Sequence, residues 1–517
     1  MNGSRESQVY GFYRFSMFLS IVETNRIKML KNYKISLVLL FFVIALLALG
    51  ELASGTSLYF VALMSATMLC IGITYNLLGG VGTISGIAFT GFALCTFVIS
   101  QFAKVLFFEA AETNLEAPTL TIKVYFVFYF CTMVGVFVYG RLRVKLPKPL
   151  EPATTAQAAL LYVVSVSVGL ISTISFEVTE FGGHASGEAA ETHSLSLAFS
   201  GLLLFAIVLA TQAKIRESNG QRSFGAKVFL PWVSMVFFGF VSTSRGGILL
   251  PSIVYVLTCY VSGYRFRTKH YIAGVLGIVV AATIISPFEI YARGATAGMT
   301  FQEKVSSTFA LLAAVPDWIV VKESSEGGSQ TGSREEYYNK SGTFILSRLS
   351  AIRADSNMIN ACSTGYHYGF TALRLDVLHN IPRILYKNKP AIDSAAFTGR
   401  VTGINSDEVE NGEFMITAVS DSYGAFGWWG VVIVPLVVFP ATFIIYESVF
   451  DISRPWGIVA MGAFCFPFSE VNMGGLINLA IRTPISLVFL SYVVGVIIRM
   501  IPVKGAHEFD AGRAMAE

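Results

Sequence analysis

The sequence is short of charge. Only 14 % of its 517 residues are Asp, Glu, Lys or Arg, whereas soluble globular domains carry about 25 %. Hydrophobic residues make up 54 % of the chain, and its mean hydropathy is +0.62. A water-soluble enzyme of this length would lack the polar side chains to cover its surface, and the abundance of Phe and Tyr excludes disorder. The composition therefore predicts a polytopic membrane protein.

Cysteine and motifs for cofactors are scarce as well. The chain has six Cys, and all but Cys362 lie in apolar runs, so we expect no disulfide framework. No CxxC motif or His/Cys cluster is present, which argues against a structural zinc site. Walker, Rossmann and HExxH patterns do not occur in a suitable context. We therefore predict no metal, no cofactor and no nucleic-acid partner.

Long apolar runs, by contrast, are abundant. A helix needs about 20 mostly apolar residues to cross the bilayer. We predict an all-α fold with twelve transmembrane helices, of which those at 85–107 and 456–473 have the weakest signal. The predicted spans are 35–52, 57–79, 85–107, 120–140, 157–175, 193–211, 225–243, 246–263, 269–289, 427–447, 456–473 and 480–500.

The distribution of charge predicts the orientation of these spans. Lys and Arg collect before the first span and in the even-numbered loops, whereas the loops after spans three and five carry Glu. Cytoplasmic loops are enriched in Lys and Arg, so both termini are predicted to be cytoplasmic. The predicted regions are a cytoplasmic segment 1–34, nine spans in 35–289, a large periplasmic loop 290–426, three spans in 427–500 and a cytoplasmic tail 501–517. We expect the large loop to contain amphipathic helices and helices that carry candidate site residues.

Arg245 lies in a tight turn between spans seven and eight, on the side predicted to lack positive charge. Charge between two spans is costly and often functional. Gly246 and Gly247 allow close approach to the backbone, and a helix start favours anions. Arginine beside a helix start suits a phosphate or pyrophosphate. A snorkelling interfacial arginine is the alternative.

The large loop holds most of the other candidate residues. Residues 305–321 are apolar enough for a helix lying on the membrane, interrupted at Pro316. After a flexible polar stretch, helical spacing places Arg348 and Asp355 on one face and Arg353 on another flank. An ordinary surface ion-pair network is the alternative for these charges. His367 is a candidate base or a structural residue.

Further along, basic and aromatic residues stand between two prolines, and acidic residues precede the tenth span. Trp428 and Trp429 at the start of that span fit an interfacial aromatic belt. The candidates in this part of the loop are Arg383, Tyr386, Lys389, Arg400, Glu413, Asp421 and Tyr423.

Three short segments resemble the Wzy-type O-antigen or exopolysaccharide repeat-unit polymerases. The turn Thr243-Ser-Arg-Gly-Gly247 resembles the SRG turn of that family. Pro382-Arg383 followed by Lys389-Pro390 resembles its loop segment, and Asp421-Ser-Tyr-Gly-Ala-Phe-Gly-Trp-Trp-Gly430 resembles its entry into the next span. The layout is similar over nearly the whole chain, with inward termini and one large outward loop in the C-terminal half.

The resemblance implies a metal-independent glycosyltransferase of GT-C-like architecture in the bacterial inner membrane. Such an enzyme transfers a growing glycan from undecaprenyl pyrophosphate to a new lipid-linked oligosaccharide on the periplasmic face. Without a metal, fixed arginines would stabilise the pyrophosphate. A chain-length regulator is a further candidate partner. The candidate catalytic residues are Arg245, Arg348, Asp355, His367, Glu413 and Asp421, and the candidate substrate-binding residues are Arg353, Arg383, Tyr386, Lys389, Arg400 and Tyr423.

Two other functions remain open at this point. An O-antigen ligase shares the layout and the donor but delivers the glycan to the lipid A core. A flippase for lipid-linked oligosaccharides is the second alternative, and the scarcity of charge in the middle of the spans counts against it.

Overall fold

A computed structural model describes residues 34–139, 142, 144–152, 155–181, 199–285, 288, 292, 296, 299–313, 351–381, 386, 416–469 and 471–500. Within these ranges the chain is 80 % helical and has no strand, which confirms the predicted all-α class. Polar backbone groups in a lipid environment must bond within their own segment, and helices meet that requirement.

The described ranges contain sixteen α-helices, which we number in chain order, besides a 3-10 turn at Gly80–Gly82 and a π turn at Ala281–Ile285 that follows α9. They are α1 (Leu37–Ala53), α2 (Leu58–Leu78), α3 (Ile84–Leu106), α4 (Pro118–Tyr139), α5 (Thr155–Phe181), α6 (Leu202–Glu217), α7 (Ala226–Val241), α8 (Arg245–Ser262), α9 (Thr268–Val280), α10 (Phe301–Ala313), α11 (Ile352–Ser363), α12 (Phe370–Asn380), α13 (Ala418–Phe426), α14 (Trp428–Val449), α15 (Pro455–Phe468) and α16, which starts with Met473–Ile477 and ends with Thr483–Met500.

Six of the described helices are long and apolar enough to cross a membrane, namely α2, α3, α4, α5, α14 and α16. Helices α1, α7, α8 and α15 are apolar but shorter. Each of the twelve predicted spans overlaps a helix, although parts of the fourth, sixth, ninth and eleventh spans lie outside the described residues. The two predicted spans with the weakest signal, 85–107 and 456–473, correspond to α3 and α15. Helix α3 is long enough to cross a membrane, whereas α15 has 14 residues and extends about 21 Å. The total of twelve spans stays a prediction.

Aromatic rings join four of these helices in the core. Phe92 of α3 and Phe128 of α4 both contact Phe439 of α14, with centroid distances of 5.3 and 5.4 Å. Phe439 also lies 5.1 Å from Phe468 of α15. Helices α4 and α14 approach closely because Gly135 has no side chain, and a Cβ there would lie 2.5 Å from a backbone oxygen of α14. Small residues allow such close helix packing.

The region predicted as one large loop contains α10, α11, α12 and α13. The predicted membrane-surface helix over 305–321 corresponds to α10 as far as Ala313, and the rest lies outside the described residues. Asp421 and Tyr423, predicted to lie in this loop directly before span ten, are on α13, a helix separate from that span. We call α11, α12 and α13 the loop helices.

Gly427 separates α13 from α14. Its backbone has φ +59° and ψ −140°, a conformation open almost only to glycine. A Cβ at this position would also lie 3.0 Å from the ring of His367. Glycine is therefore required where the chain turns from the last loop helix into the next long apolar helix.

We expect Gly427→Ala to lower the free energy of unfolding by about 1–3 kcal/mol, because the new side chain is strained and crowded. The matched control is Gly274→Ala in α9, where no atom lies within 4 Å of the new Cβ and alanine favours the helix. The midpoint of thermal unfolding in detergent measures both. Equal midpoints for the two variants would contradict the role of Gly427.

Candidate functional site

Helix α11, the first of the loop helices, begins beside a π turn in the middle of α3. The turn spans Leu94–Val98, and two of its backbone carbonyls bond outside α3. The carbonyl of Cys95 accepts from Ala351 N at 3.2 Å, and that of Thr96 accepts from the Tyr125 hydroxyl at 3.2 Å. Such π turns often occur at functional positions. Helix α11 therefore begins beside the middle of an apolar helix, and not on the surface of the bundle.

The carboxyl group of Asp355 joins α11 to two other elements. Its side chain is 0 % exposed and accepts a hydrogen bond from the Tyr125 hydroxyl of α4. It also accepts from Thr417 N at 3.1 Å, from Thr417 Oγ1 at 2.6 Å and from Ser420 Oγ. Because Thr417 precedes α13, the carboxyl group lies at the start of that helix, where negative charge is favoured.

Helix α11 makes a second set of contacts with the segment that leads into α4. The hydroxyl of Ser356 accepts from Ala117 N at 3.2 Å and from Thr121 Oγ1 at 3.0 Å. One turn further along, Asn360 Nδ2 donates to Glu116 at 3.4 Å. Helix α11 is thus fixed along one side by polar contacts with the beginning of α4.

Asp421 makes a similar connection from α13. It is 8 % exposed and accepts from the hydroxyl of Tyr368, just before α12, and from Met473 N, the first residue of α16, at 2.8 Å. Asp376 of α12 is close to the same helix start, since a Cβ on Gly474 would contact its carboxylate. Asp355 and Asp421 therefore connect the loop helices to one another and to α4 and α16.

Burial dominates the electrostatics of these groups. It raises the pKa of Asp355, and the hydrogen bonds from Ser420, Thr417 and Tyr125 oppose the shift. Burial also raises the pKa of Asp421, against the hydrogen bonds from Tyr368 and Met473. A carboxyl group whose oxygens already accept several hydrogen bonds is well suited to positioning and poorly placed to take a proton from a substrate.

An aromatic cluster extends from the buried Tyr423 to the exposed surface of this assembly; it consists of His367, Phe370, Tyr423, Phe426 and Trp428. The ring of His367 meets that of Tyr423 at 5.7 Å, and Tyr423 meets Trp428 at 5.8 Å. Phe370 meets Phe426 at 4.8 Å and is 74 % exposed. His367 is exposed as well, so its ring is accessible from outside the protein.

The turn before α8 has an unusual backbone. Thr243 has φ +49°, which is rare for a β-branched residue and is associated with functional sites. Ser244 caps α8 by accepting from Gly247 N at 3.2 Å. Gly247 also packs against Gly239 of α7, since a Cβ on Gly247 would lie 2.9 Å from the Cα of Gly239. The two glycines thus bring α7 and α8 close together directly beside Arg245.

This turn and the loop helices lie at the same end of the bundle. A Cβ on Gly246 would be 3.3 Å from the ring of Phe466 in α15. A few residues later, the carbonyl of Val471 accepts from Ala418 N, the first residue of α13, at 2.6 Å. The starts of α8 and α13 are therefore both close to the C-terminal end of α15.

The structure brings together four of the predicted site residues, and it leaves five outside the described ranges. Asp355, Asp421, Tyr423 and His367 converge around α13. Arg245 is the first residue of α8, Arg353 is half-buried on α11 and Tyr386 is half-buried. The five predicted residues outside the described ranges are Arg348, Arg383, Lys389, Arg400 and Glu413.

Sequence reasoning missed the partners of the aspartates, which are Tyr125, Thr417, Ser420 and Tyr368. It also missed Glu51 of α1, which is fully buried and accepts from Thr56 Oγ1 at 2.6 Å and Ala111 N at 3.0 Å. An acidic residue at the end of an apolar run was the available signal for Glu51. In the part of the chain that the structure describes, no three His, Cys, Asp or Glu side chains are grouped to hold a metal.

Comparison of the chain with protein-family models, with curated proteins and with solved structures finds no match.

Cys362 tests the burial of this region. It is on α11, and burial raises the pKa of its thiol to about 11, with a further contribution from Asp421. Because the thiolate is the reactive form, we expect Cys362, as the sole cysteine, to resist N-ethylmaleimide at pH 8. The control carries a sole cysteine at the exposed neighbouring position, Ser363→Cys, and should react rapidly. Mass spectrometry of the folded protein measures both rates of modification by N-ethylmaleimide. Equal rates at the two positions would show that α11 is not buried as described.

Proposed function

We propose that the protein is a polysaccharide polymerase that transfers a growing glycan from undecaprenyl pyrophosphate to a new lipid-linked repeat unit on the periplasmic face of the bacterial inner membrane. The proposal starts from the resemblance of three segments to the Wzy-type polymerases. It includes the twelve spans, the GT-C-like architecture and the periplasmic position of the loop helices.

The observation that carries the proposal is the convergence of two of these segments. The turn at Arg245 and the segment 421–430 are about 180 residues apart in sequence. Yet Gly246 packs against Phe466 of α15, and Asp421 bonds to Met473, five residues beyond the end of that helix. Chance similarity of short motifs does not require such proximity. An active site built from both segments does.

The chemistry has two requirements. The acceptor hydroxyl attacks the anomeric carbon of the donor sugar, the bond from that carbon to the pyrophosphate oxygen breaks, and the hydroxyl proton passes to a base. Arg245 and the start of α8 would stabilise the pyrophosphate that leaves. Among the described candidates, His367 combines a basic ring with exposure, so we assign it as the base. Asp355 and Asp421 act as positioning residues.

The test is complementation of a strain that lacks the gene. Wild type should restore a ladder of long surface glycans on a silver-stained gel, whereas Arg245→Ala should leave single repeat units, because the leaving pyrophosphate loses a fixed positive charge. The matched control is Arg374→Gln, which removes an exposed arginine of α12 outside the three segments and should restore the ladder. Immunoblots of the membrane fraction establish that each variant inserts.

A full ladder with Arg245→Ala, or in the strain without the gene, would refute the proposal. Long chains that accumulate on undecaprenyl pyrophosphate in the deletion strain would instead identify a ligase. His367→Ala tests the base separately. We expect it to slow polymerisation by about 100-fold or more, and an unchanged ladder would remove His367 from the site.

A further inference from the structure

Two loops that are distant in sequence meet near the ends of α6 to α9. The loop 218–225 joins α6 to α7, and the loop 263–267 joins α8 to α9. Arg265 N donates to the carbonyl of Gly220 at 3.1 Å, and Arg267 Nη2 donates to Gln221 Oε1 at 3.2 Å. These hydrogen bonds hold the two loops together as one surface.

This surface is strongly basic. The two loops and the adjoining helix ends carry seven positive residues and one negative residue, a net charge of +6. The single acid, Glu217, pairs with Lys214 at 3.5 Å. The other six cations are exposed, and we call them the basic patch; they are Arg216, Arg222, Lys227, Arg265, Arg267 and Lys269.

Part of the basic patch is held in a fixed backbone geometry. Arg267 N donates to His270 Nδ1 at 2.9 Å, and the other ring nitrogen of His270 bonds with the Tyr264 hydroxyl at 2.9 Å. In the other loop, Ser218 Oγ accepts from Arg222 N at 2.8 Å and donates to its carbonyl. Six like charges are therefore kept on a restricted surface, where they repel one another unless an anion neutralises them.

Exposed apolar side chains border the basic patch on both flanking helices. Phe229 and Leu230 follow the patch on α7, and Tyr271 and Ile272 follow it on α9, each about half exposed or more. Cations next to a band of exposed aromatic and aliphatic side chains are typical of the boundary between lipid headgroups and hydrocarbon.

We propose that the basic patch binds the headgroups of anionic phospholipids. The lipid phosphates pair with the arginines and lysines, while the acyl chains lie along the exposed apolar side chains of α7 and α9. This border of apolar side chains favours a lipid over a soluble anion, because it offers hydrocarbon contacts that a free phosphate cannot use. Each cation near an anionic membrane surface strengthens binding.

The test measures binding of phosphatidylglycerol and phosphatidylcholine to the purified full chain in detergent by native mass spectrometry. We expect phosphatidylglycerol to bind more tightly, and the triple variant Arg222→Gln, Arg265→Gln, Arg267→Gln to weaken its binding by at least about tenfold. The control variant also removes three positive charges, but outside the basic patch, through Lys145→Gln, Lys148→Gln and Arg374→Gln. It should keep the affinity of the wild type for phosphatidylglycerol. Raised salt should weaken the binding of phosphatidylglycerol to the wild type. This measurement does not depend on whether a variant folds.

Three results would overturn the proposal. They are equal affinity for the two lipids, equal loss of affinity in the control variant, and displacement of phosphatidylglycerol by inorganic phosphate at the same concentration. The last result would identify a free-phosphate site in place of a lipid site.

Discussion

The hydrogen bonds of Asp355 are the contacts on which the rest of the candidate site depends. A fully buried carboxyl group is costly unless donors surround it, and here Tyr125, Thr417 and Ser420 provide them. Those donors belong to α4 and to the start of α13, so one side chain of α11 fixes two loop helices against an apolar helix. Loss of one partner would leave the remaining groups buried and unsatisfied.

Buried and exposed residues of the candidate site have different roles in the proposed function. Asp355 and Asp421 are buried and fix the positions of the loop helices. His367 and the other exposed members of the aromatic cluster stand on the accessible side of the same helices. The proposed polymerase requires such rigid support, because catalytic groups must hold their geometry while a flexible lipid-linked glycan enters and leaves. The basic patch, built from other loops, adds a separate connection to lipid.

The apolar helices could be predicted from sequence because a span is defined by local composition. Helices α2 to α5 and α14 match their predicted spans within a few residues, apart from an extension at the end of α5. The loop helices were harder. The helical spacing from Arg348 to Asp355 anticipated α11, but the contact of Asp355 with Tyr125 joins residues 230 positions apart, and no local pattern encodes it. Asp421 and Tyr423, expected in the loop directly before span ten, lie in a buried helix of their own that ends before Gly427.

Hydrogen exchange of the Asp355→Asn variant measures how far the loop helices depend on this carboxyl group. The asparagine amide places a donor where the carboxylate accepts, so the surrounding donors lose an acceptor. We expect backbone amides of α11 and α13 to exchange at least about tenfold faster, while α2 and α3 keep their protection. Asp451→Asn, which alters a half-exposed aspartate paired with Arg454, should change neither region. Unchanged protection of α11 and α13 in Asp355→Asn would show that these helices do not depend on the hydrogen bonds of Asp355.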